Sequence, residues 1–343
     1  MARTKKLEPG TTLKSVAEHL GLTPGTVSAV LNDSPAAQAI PQRTKDRILA
    51  AARELNYRPN YFARSLRKKR TYTVGVIAEE IGDAYGSMVI SGIEKCLRDK
   101  EYFFLTVIHR HDPMLLSRYS TLLLERGVEG FITVDTSLRQ APAVPTVAVA
   151  GHRQLENVTN ITLDHDHCAH IALSHLKDLG HRKIAFMRGH PSSSDSADRF
   201  EAICKVSREL GIEVDEDLVV QITSLDSTAQ LGYPFGKELL IRKKPFTALF
   251  AYNDISALGA MRAFQEAGLR VPEDISVVGV DDIQGAAFHS PGLTTVRQPL
   301  EKMGYISAET LIERIENSKE FPNNIAIEPE LVVRDSTSPV NGS

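Results

Sequence analysis

The sequence predicts an α/β protein in which a small all-α helix-turn-helix headpiece precedes a larger body of two parallel-sheet lobes. The first observation is an uneven charge: up to Tyr72 the chain has 14 Lys and Arg against 5 Asp and Glu, and beyond Tyr72 it has 26 against 38. The second is a change at Thr73 from helical periodicity to short apolar runs. The third is size, because 343 residues with 42% hydrophobic content suffice for two or three domains.

The helices of the headpiece follow from periodicity and capping. One helical face is formed at i, i+3, i+4 and i+7 by Leu13, Val16, Ala17 and Leu20. Gly21 then suits the left-handed position that ends a helix, while Thr23 can cap a second helix that has Pro24 at its first position. A third helix over about residues 42–55 closes a small core. Two short helices joined by such a turn predict a helix-turn-helix, whose second helix enters the major groove of DNA.

From Thr73 onward, apolar runs of four to six residues alternate with helical stretches. The runs are TVGVIA, FFLTVI, GFITV, TVAVAG, NITLD, KIAFM, TALFAY and ISVVGV. Continuous apolar runs with intervening helices are typical of parallel strands that are covered on both faces. About eight such units fit two similar, Rossmann-like lobes better than one sheet.

Longer motifs resemble those of the LacI/GalR family of bacterial repressors along almost the whole chain. They are TLKSVAEHLGLTPGTVSAVLN and RILAAARELNYRPNYFARSL, then LDHDHCAHIALSHLKDLGHRKIAFM, AYNDISALGAMRAFQEAGLRVPEDISVVGVDD and LTTVRQPLEKMG. The resemblance implies a periplasmic-binding-protein-like body that holds a ligand at the carboxyl ends of its strands. It also implies a regulator that binds palindromic operator DNA as a homodimer under the control of a small-molecule effector.

The resemblance divides the chain into a headpiece at 1–58, a hinge helix and linker at 59–71, and a body at 72–343. We expect one lobe at about 72–162 and 293–325, and the other at about 163–290 and 326–337. The chain then crosses between the lobes near Leu163, near Ser290 to Leu293, and near Ile325 to Ile327. Because the end, DSTSPVNGS, is polar and carries no leucine heptads, we expect a disordered tail at 338–343 and a dimer rather than a tetramer.

Carried over by position, the resemblance assigns DNA contacts to the headpiece. Phosphates are bound by Thr12, Thr26, Ser28 and Asn32, and bases are read by Pro24, Gly25 and Ala29. Ala29 departs from the family pattern, which most often has arginine there. An alanine methyl can contact a thymine methyl but cannot hydrogen-bond to guanine, so the operator should differ at that base pair. The following loop, NDSPAAQAIP, is also longer than the commonest form.

The basic segment RPNYFARSLRKKRT predicts a short helix that needs a partner. Phe62 and Leu66 lie four apart on one face, and a helix of under about 12 residues is marginal in water. The resemblance makes it a hinge helix that orders on the minor groove, with Leu66 as the wedge that parts a base step. The contacts implied are Asn60, Ala63, Leu66 and Arg67. A basic solvated linker is the alternative.

The body residues that would line the effector cleft follow the predicted strands. They are Asp83, Tyr85, Asp135, Arg199, Asn253 and Asp282, whereas Asp254 and Asp281 are expected to be structural. Carboxylates, an amide and a guanidinium suit the paired hydroxyls of a carbohydrate effector. However, DAYG stands where the family often has N-P-F, and the chain has no Trp to stack on a sugar ring. A purine, a phosphorylated sugar or a partner protein therefore remain alternatives.

Other functions find less support in the sequence. The histidines of DHDHCAH fan out around a helix start, so we expect no metal site. No nucleophile elbow, phosphate-binding loop or dinucleotide turn occurs, so we expect neither catalysis nor a cofactor.

The chain's location follows from similar signals. Cys96, Cys168 and Cys204 lack the C-x-x-C spacing of a zinc site and do not suggest a disulfide framework. With neither a secretory signal nor a run of twenty apolar residues, we expect a cytoplasmic protein without a membrane partner. The competing class is a non-regulatory solute-binding protein with the same body fold, which the basic headpiece disfavours.

Overall fold

The computed structural model describes residues 11–340 except 60–64, 67, 83, 152–153, 226–227 and 229. The chain divides into two compact units, one up to Thr71 and one from Tyr72 onward. Within the described ranges, no helix is both long and apolar enough to span a bilayer.

The first unit contains the three helices that the sequence predicts. They are α1 (Leu13–Leu20), α2 (Pro24–Leu31) and α3 (Gln42–Glu54), with a 3₁₀ helix at Pro35–Ala39 in the longer loop. Gly21 ends α1 at φ 65°, and the Thr23 hydroxyl caps α2 by accepting from Thr26 N at 3.2 Å. Val16, Val27 and Ile48 are fully buried in the core between the helices.

The second unit is an alternation of strands and helices. Its strands are β1 (Thr73–Ala78), β2 (Phe103–Ile108), β3 (Phe131–Val134), β4 (Thr146–Val149), β5 (Val158–Leu163), β6 (Ile184–Arg188), β7 (Val219–Gln221), β8 (Ala248–Phe250), β9 (Ser276–Asp281), β10 (Thr294–Arg297), β11 (Asn324–Ile327) and β12 (Glu330–Val332). Its helices are α4 (Ala84–Asp99), α5 (Pro113–Glu125), α6 (His165–Asp178), α7 (Ser194–Leu210), α8 (Tyr233–Ile241), α9 (Asp254–Glu266), α10 (Gln284–Phe288) and α11 (Leu300–Asn317). All eight predicted runs form strands.

The strands form two six-stranded sheets, one in each lobe. The first has the order β11-β5-β4-β3-β1-β2 and the second the order β12-β10-β9-β8-β6-β7. Every pairing is parallel except that of β10 with β12. The predicted fold of two parallel-sheet lobes is therefore confirmed.

Two of the three crossings between the lobes lie later than expected. The first follows Leu163, as predicted. Because β10 pairs with β9 in the second sheet, the next crossing lies between Arg297 and Leu300 rather than at Ser290 to Leu293. Because β11 pairs with β5 in the first sheet, the last crossing falls between Ile327 and Glu330.

The C-terminal segment up to Val340 is ordered, so the expectation of a tail from residue 338 is wrong for 338–340. Ser336 is fully buried, and its backbone oxygen accepts from Val277 N at 2.8 Å. Ser338 N donates to the Ser276 hydroxyl at 3.0 Å, and Val340 N donates to Leu179 O at 3.0 Å. The sequence composition suggested disorder, but these bonds to residues far away in sequence hold the segment on the second lobe. Residues 341–343 lie outside the described chain.

Glycines bring α4 and α11 into backbone contact beside the first sheet. A Cβ at Gly92 would lie 1.9 Å from the carbonyl oxygen of Glu301, and a Cβ at Gly304 would lie 2.0 Å from that of Val89. Since no side chain can occupy such a space, only glycine fits at either position. The two helices are thereby fixed to one another.

Candidate DNA-binding and effector-binding sites

Of the four polar residues predicted to bind phosphates, Thr12, Thr26 and Asn32 lie at helix ends of the headpiece, and Ser28 lies inside α2. Thr12 caps α1, because its hydroxyl accepts from Ser15 N at 3.2 Å. Thr26 Oγ1 lies 2.9 Å from Thr23 Oγ1 in the first turn of α2. Asn32 follows the last turn of α2 and donates from Nδ2 to Ser28 O at 2.8 Å. These side chains are held by local hydrogen bonds, and their contact with DNA stays a prediction.

The residues predicted to read bases differ in their exposure. Pro24 and Gly25 are exposed at the start of α2. Ala29 is only 8% exposed, in a helix against which the 3₁₀ segment of the longer loop packs. Its predicted contact with a thymine methyl therefore has little free surface available.

The hinge is described only in part. Asn60, Ala63 and Arg67 lie outside the described residues, so nothing is added to their predicted contacts. Ser65, Leu66 and Lys68 are helical, and Leu66 is 81% exposed. Single exposed apolar side chains are common on protein surfaces, so the contact of Leu66 with DNA stays a prediction.

The cleft between the two lobes contains a small cavity of about 60 Å³, which we call the inner pocket. It is lined by Tyr85, Asp135, Ala150, Asp195, Arg199, Tyr252, Asn253, Ile255, Asp281 and Gln298. These residues follow or end strands of both sheets, so the pocket lies where carboxyl ends of parallel strands meet. Of the predicted residues, Tyr85, Asp135, Arg199 and Asn253 come together here, while Asp83 lies outside the described chain.

Arg199 is the buried centre of the inner pocket, with 4% of its surface exposed. Its Nη2 donates to Asp195 Oδ2, and its Nη1 donates to the carbonyl oxygen of Tyr252. Its Cζ lies 4.7 Å from the centroid of the Tyr252 ring, and Asp195 Oδ1 lies 3.2 Å from His165 Nε2. Burial alone lowers the pKa of Arg199, but the Asp195 carboxylate raises it above its ordinary value, so the guanidinium stays charged.

The structure exchanges the expected roles of two neighbouring aspartates. Asp282, predicted to line the cleft, instead accepts from Arg297 Nε and Arg334 Nη2, each at 2.6 Å. Asp281, predicted to be structural, lines the inner pocket and accepts from Gln298 Nε2 at 2.6 Å. The extended backbone of β9 ends here, since Asp281 and Asp282 have φ 115° and 57°, and the two carboxylates have different partners. Burial raises the pKa of Asp281 well above its usual value.

Asp254 is structural, as expected. It is fully buried, with Oδ1 accepting from the Thr295 hydroxyl at 2.5 Å and Oδ2 accepting from Ile283 N at 2.9 Å. Burial raises its pKa to about 7, despite the opposing effect of these two hydrogen bonds. Asp254 thereby links the start of α9 to Ile283, which follows β9, and to Thr295 of β10.

Sequence reasoning missed three polar residues of the inner pocket. Asp195 precedes Arg199 by four positions, so helical spacing alone could have placed both on one face of α7. Tyr252 and Gln298 follow the ends of β8 and β10 in the second sheet, a position that the strand pattern alone could have suggested for Tyr252, whereas Gln298 depends on β10 pairing with β9. Together with Tyr85, Tyr252 contributes an aromatic ring from each lobe. Burial raises the pKa of both tyrosines well above the usual value.

A larger cavity of about 340 Å³, the outer chamber, adjoins the inner pocket and shares Tyr85, Asp135, Tyr252, Asn253 and Ile255 with it. Both lobes also line it with charged or titratable residues, which are Glu79, Glu80, Arg110, His111 and His190. His111 Nδ1 lies 2.7 Å from Glu79 Oε1. Burial lowers the pKa of His111, and the neighbouring His190 lowers it further.

The histidine-rich segment after Asp164 forms the first turns of α6. Asp164 caps α6 by accepting from His167 N at 2.9 Å. Among the described residues, no three His, Cys, Asp or Glu side chains are placed to hold a metal ion.

Two family descriptions match the chain. Residues 12–60 match the bacterial regulatory proteins of the lacI family, and residues 173–337 match a periplasmic binding protein-like domain. The first match contains the helix-turn-helix, and the second contains most of the second lobe.

Similar proteins extend the likeness to nearly the full length. The HTH-type transcriptional repressor PurR of Yersinia pestis is 31% identical over 336 residues, which cover 95% of this chain and 97% of the relative. The lac repressor dimer bound to operator and the anti-inducer ONPF superimposes with a TM-score of 0.86 at 27% identity, covering 96% of this chain and 100% of that one. The complex of the transcriptional regulator CelR with cellobiose gives 0.70 at 28% identity, covering 95% and 99%. The chain therefore belongs to the lacI family of bacterial regulatory proteins, and it is a helix-turn-helix transcriptional regulator that binds DNA.

Proposed function

We propose that this protein is a repressor that binds palindromic operator DNA as a homodimer, and that a small molecule in the cleft between its lobes controls the affinity for DNA. The observation that carries the proposal is the lining of the inner pocket, to which both lobes contribute. A ligand held there binds one arrangement of the lobes better than another, so it shifts their equilibrium. Because effector and DNA are then linked, each changes the affinity for the other by the same factor.

The headpiece residues divide the work of DNA recognition in this proposal. Thr12, Thr26, Ser28 and Asn32 bind phosphates, while Pro24 and Gly25 face the bases in the major groove. The hinge, residues 59–71, orders on the minor groove through Asn60, Ala63, Leu66 and Arg67. Palindromic half-sites match the two headpieces of a dimer, which share its twofold axis. A protein that binds operator DNA in a bacterial cell acts in the cytoplasm, which is the location we infer for it.

Effector control uses the residues that converge at the cleft. Tyr85 and Asp135 belong to the first lobe, whereas Arg199, Asn253 and Asp281 belong to the second. The PurR relatives carry the name of repressors, the lac repressor was solved with operator and an anti-inducer, and CelR was solved with cellobiose. These names support a carbohydrate or related polar effector for this cleft.

The test is selection of operator DNA from a randomised duplex pool by the full-length protein, followed by fluorescence anisotropy at several salt concentrations. We expect an enriched inverted repeat whose affinity exceeds that of random DNA by at least about a thousandfold. Failure to enrich any inverted repeat would overturn the proposal. Ligand binding without salt-dependent operator affinity would indicate a solute-binding protein instead.

A further inference from the structure

One face of helix α2 is open at Gly25 and covered at Ala29. Residues four positions apart in a helix are neighbours on its surface, so Gly25 and Ala29 share this face. Val27, between them in sequence, is fully buried in the core of the headpiece. Gly25 is exposed, whereas Ala29 is only 8% exposed. Another part of the headpiece therefore covers the face that Gly25 leaves open.

The cover is the 3₁₀ segment, residues 35–39, in the longer loop after α2. This segment packs against α2, and the loop that leads into it is fixed there because Ser34 N donates to Ala29 O at 3.0 Å. Ala37 is the buried residue of the segment, with 4% of its surface exposed. Since the segment covers Ala29, its outer surface continues the face of α2 that begins at Gly25.

The outer surface of the 3₁₀ segment offers one side chain that can hydrogen-bond to a base. Its exposed residues are Pro35, Ala36, Gln38 and Ala39. Of these, only Gln38 has a polar side chain, and its amide has no hydrogen-bond partner among the described residues. The backbone on both sides of Gln38 is fixed, because Ala37 N donates to Ser34 O at 2.7 Å and Ile40 N donates to Ala37 O at 3.0 Å. Gln38 therefore presents a donor and an acceptor from a fixed position.

We propose that Gln38 determines part of the operator sequence by reading an adenine in the major groove, next to the bases that Gly25 faces. A glutamine amide can donate to N7 of adenine and accept from its N6 amino group, a pairing that matches adenine best among the bases. Ala29 has no hydrogen-bonding side chain, so the loop supplies the contact that α2 lacks there. This inference rests on the proposed function, in which α2 enters the major groove.

The experiment repeats the selection of operator DNA with full-length wild type, Gln38→Ala and Gln38→Glu. Fluorescence anisotropy then measures affinity for duplexes that carry every base pair in turn at each position of both half-sites. We expect one symmetric pair of positions at which the wild type prefers adenine. At this pair, Gln38→Ala should lose about fivefold to a hundredfold of the preference. Gln38→Glu has only acceptors, so the preferred base there should change to cytosine, whose amino group donates.

Gln42→Ala is the matched control for removal of an exposed glutamine from the headpiece. Gln42 lies at the start of α3, and its Nε2 already donates to Asp46 Oδ1 at 2.9 Å. We expect Gln42→Ala to keep the base preference of the wild type at every position. Because the side chain of Gln38 is exposed, both of its variants should keep the thermal stability of the protein. A changed preference is then not a consequence of unfolding.

Three results would overturn the inference. The first is the same base preference in the wild type and both Gln38 variants. The second is an equal loss of affinity for every duplex, which would make Gln38 a phosphate contact. The third is a preference for a base other than adenine at the position that responds to Gln38. Each of these leaves a specifically bound inverted repeat, so the proposed function would stand. If the wild type enriched no inverted repeat, the proposed function and this inference would fail together.

Discussion

Helix α2 and the inner pocket are both proposed to contact a binding partner, but their chemistry is opposite. The sequence of α2, PGTVSAVL, has no charged residue, and its exposed start consists of Pro24 and Gly25 after Thr23. The inner pocket instead packs three carboxylates and a guanidinium around about 60 Å³. We therefore expect α2 to contact the bases through small uncharged groups, whereas a ligand in the inner pocket would meet polar and charged side chains.

The largest expected effect is a loss of folding stability when a buried charge of the inner pocket is removed. Arg199→Met leaves Asp195 as a buried carboxylate without its guanidinium partner, which costs about 3 to 5 kcal/mol of stability. Urea unfolding of the body measures the loss. Arg208→Met, on an exposed position of the same helix, is the control and should change stability by less than about 0.5 kcal/mol. Equal losses in the two variants would show that removing the partner of the buried Asp195 carboxylate costs no more stability than removing an exposed charge.

Asp254 should make the stability of the body depend on pH. Its pKa is about 7 when folded and about 3.9 when unfolded, so the folded state binds more protons between these values. Its contribution to stability is therefore complete below pH 4 and is lost as the pH rises to 7. Asp254→Asn should flatten this slope in unfolding experiments at pH 4 to 7, whereas exposed Asp99→Asn should not. An unchanged slope in Asp254→Asn would assign the pH dependence to other groups.

The next expected effect is on operator binding through Leu66 of the hinge. Leu66 is 81% exposed, so Leu66→Ala should cost little folding stability. Loss of the wedge should nevertheless weaken operator binding about tenfold or more, and weaken binding to random DNA far less. Gel-shift titration on both duplexes compares the two, with Leu66→Met as the control that keeps an apolar side chain of similar length. Equal losses on operator and random DNA would rule out the wedge.

The smallest expected effect concerns the contact between α2 and DNA. A Cβ at Gly25 would have Thr23 Oγ1 as its nearest neighbour at 3.8 Å, so Gly25→Ala fits the free protein. We expect it to stabilise the headpiece by up to about 1 kcal/mol while lowering operator affinity, because the added methyl meets DNA. Gly21→Ala is the control with the opposite expected effect on stability. Alanine is strained at φ 65°, so this variant should destabilise the headpiece. Unchanged operator affinity in Gly25→Ala would place Gly25 away from the bases.

Local signals predicted the headpiece and the strands well. Gly21 and Thr23 act within one or two turns of their own helices, so their roles depend on neighbours in sequence. The cleft depends on tertiary packing instead. Nothing in the motif GVDD says which aspartate faces the pocket, and Gln298 reaches Asp281 only because β10 lies beside β9. The order of the C-terminal segment was missed for the same reason, since its bonds are to residues far away in sequence.

The glycine contact between α4 and α11 bears on how a displacement in the cleft would spread through the first lobe. Tyr85 lies in the first turn of α4, whose 16 residues span about 24 Å at 1.5 Å per residue. The backbones of the two helices touch at Gly92 and at Gly304, with no side chain between them. A ligand that displaced α4 at Tyr85 would therefore displace α11 with it, because no intervening side chain could absorb the shift.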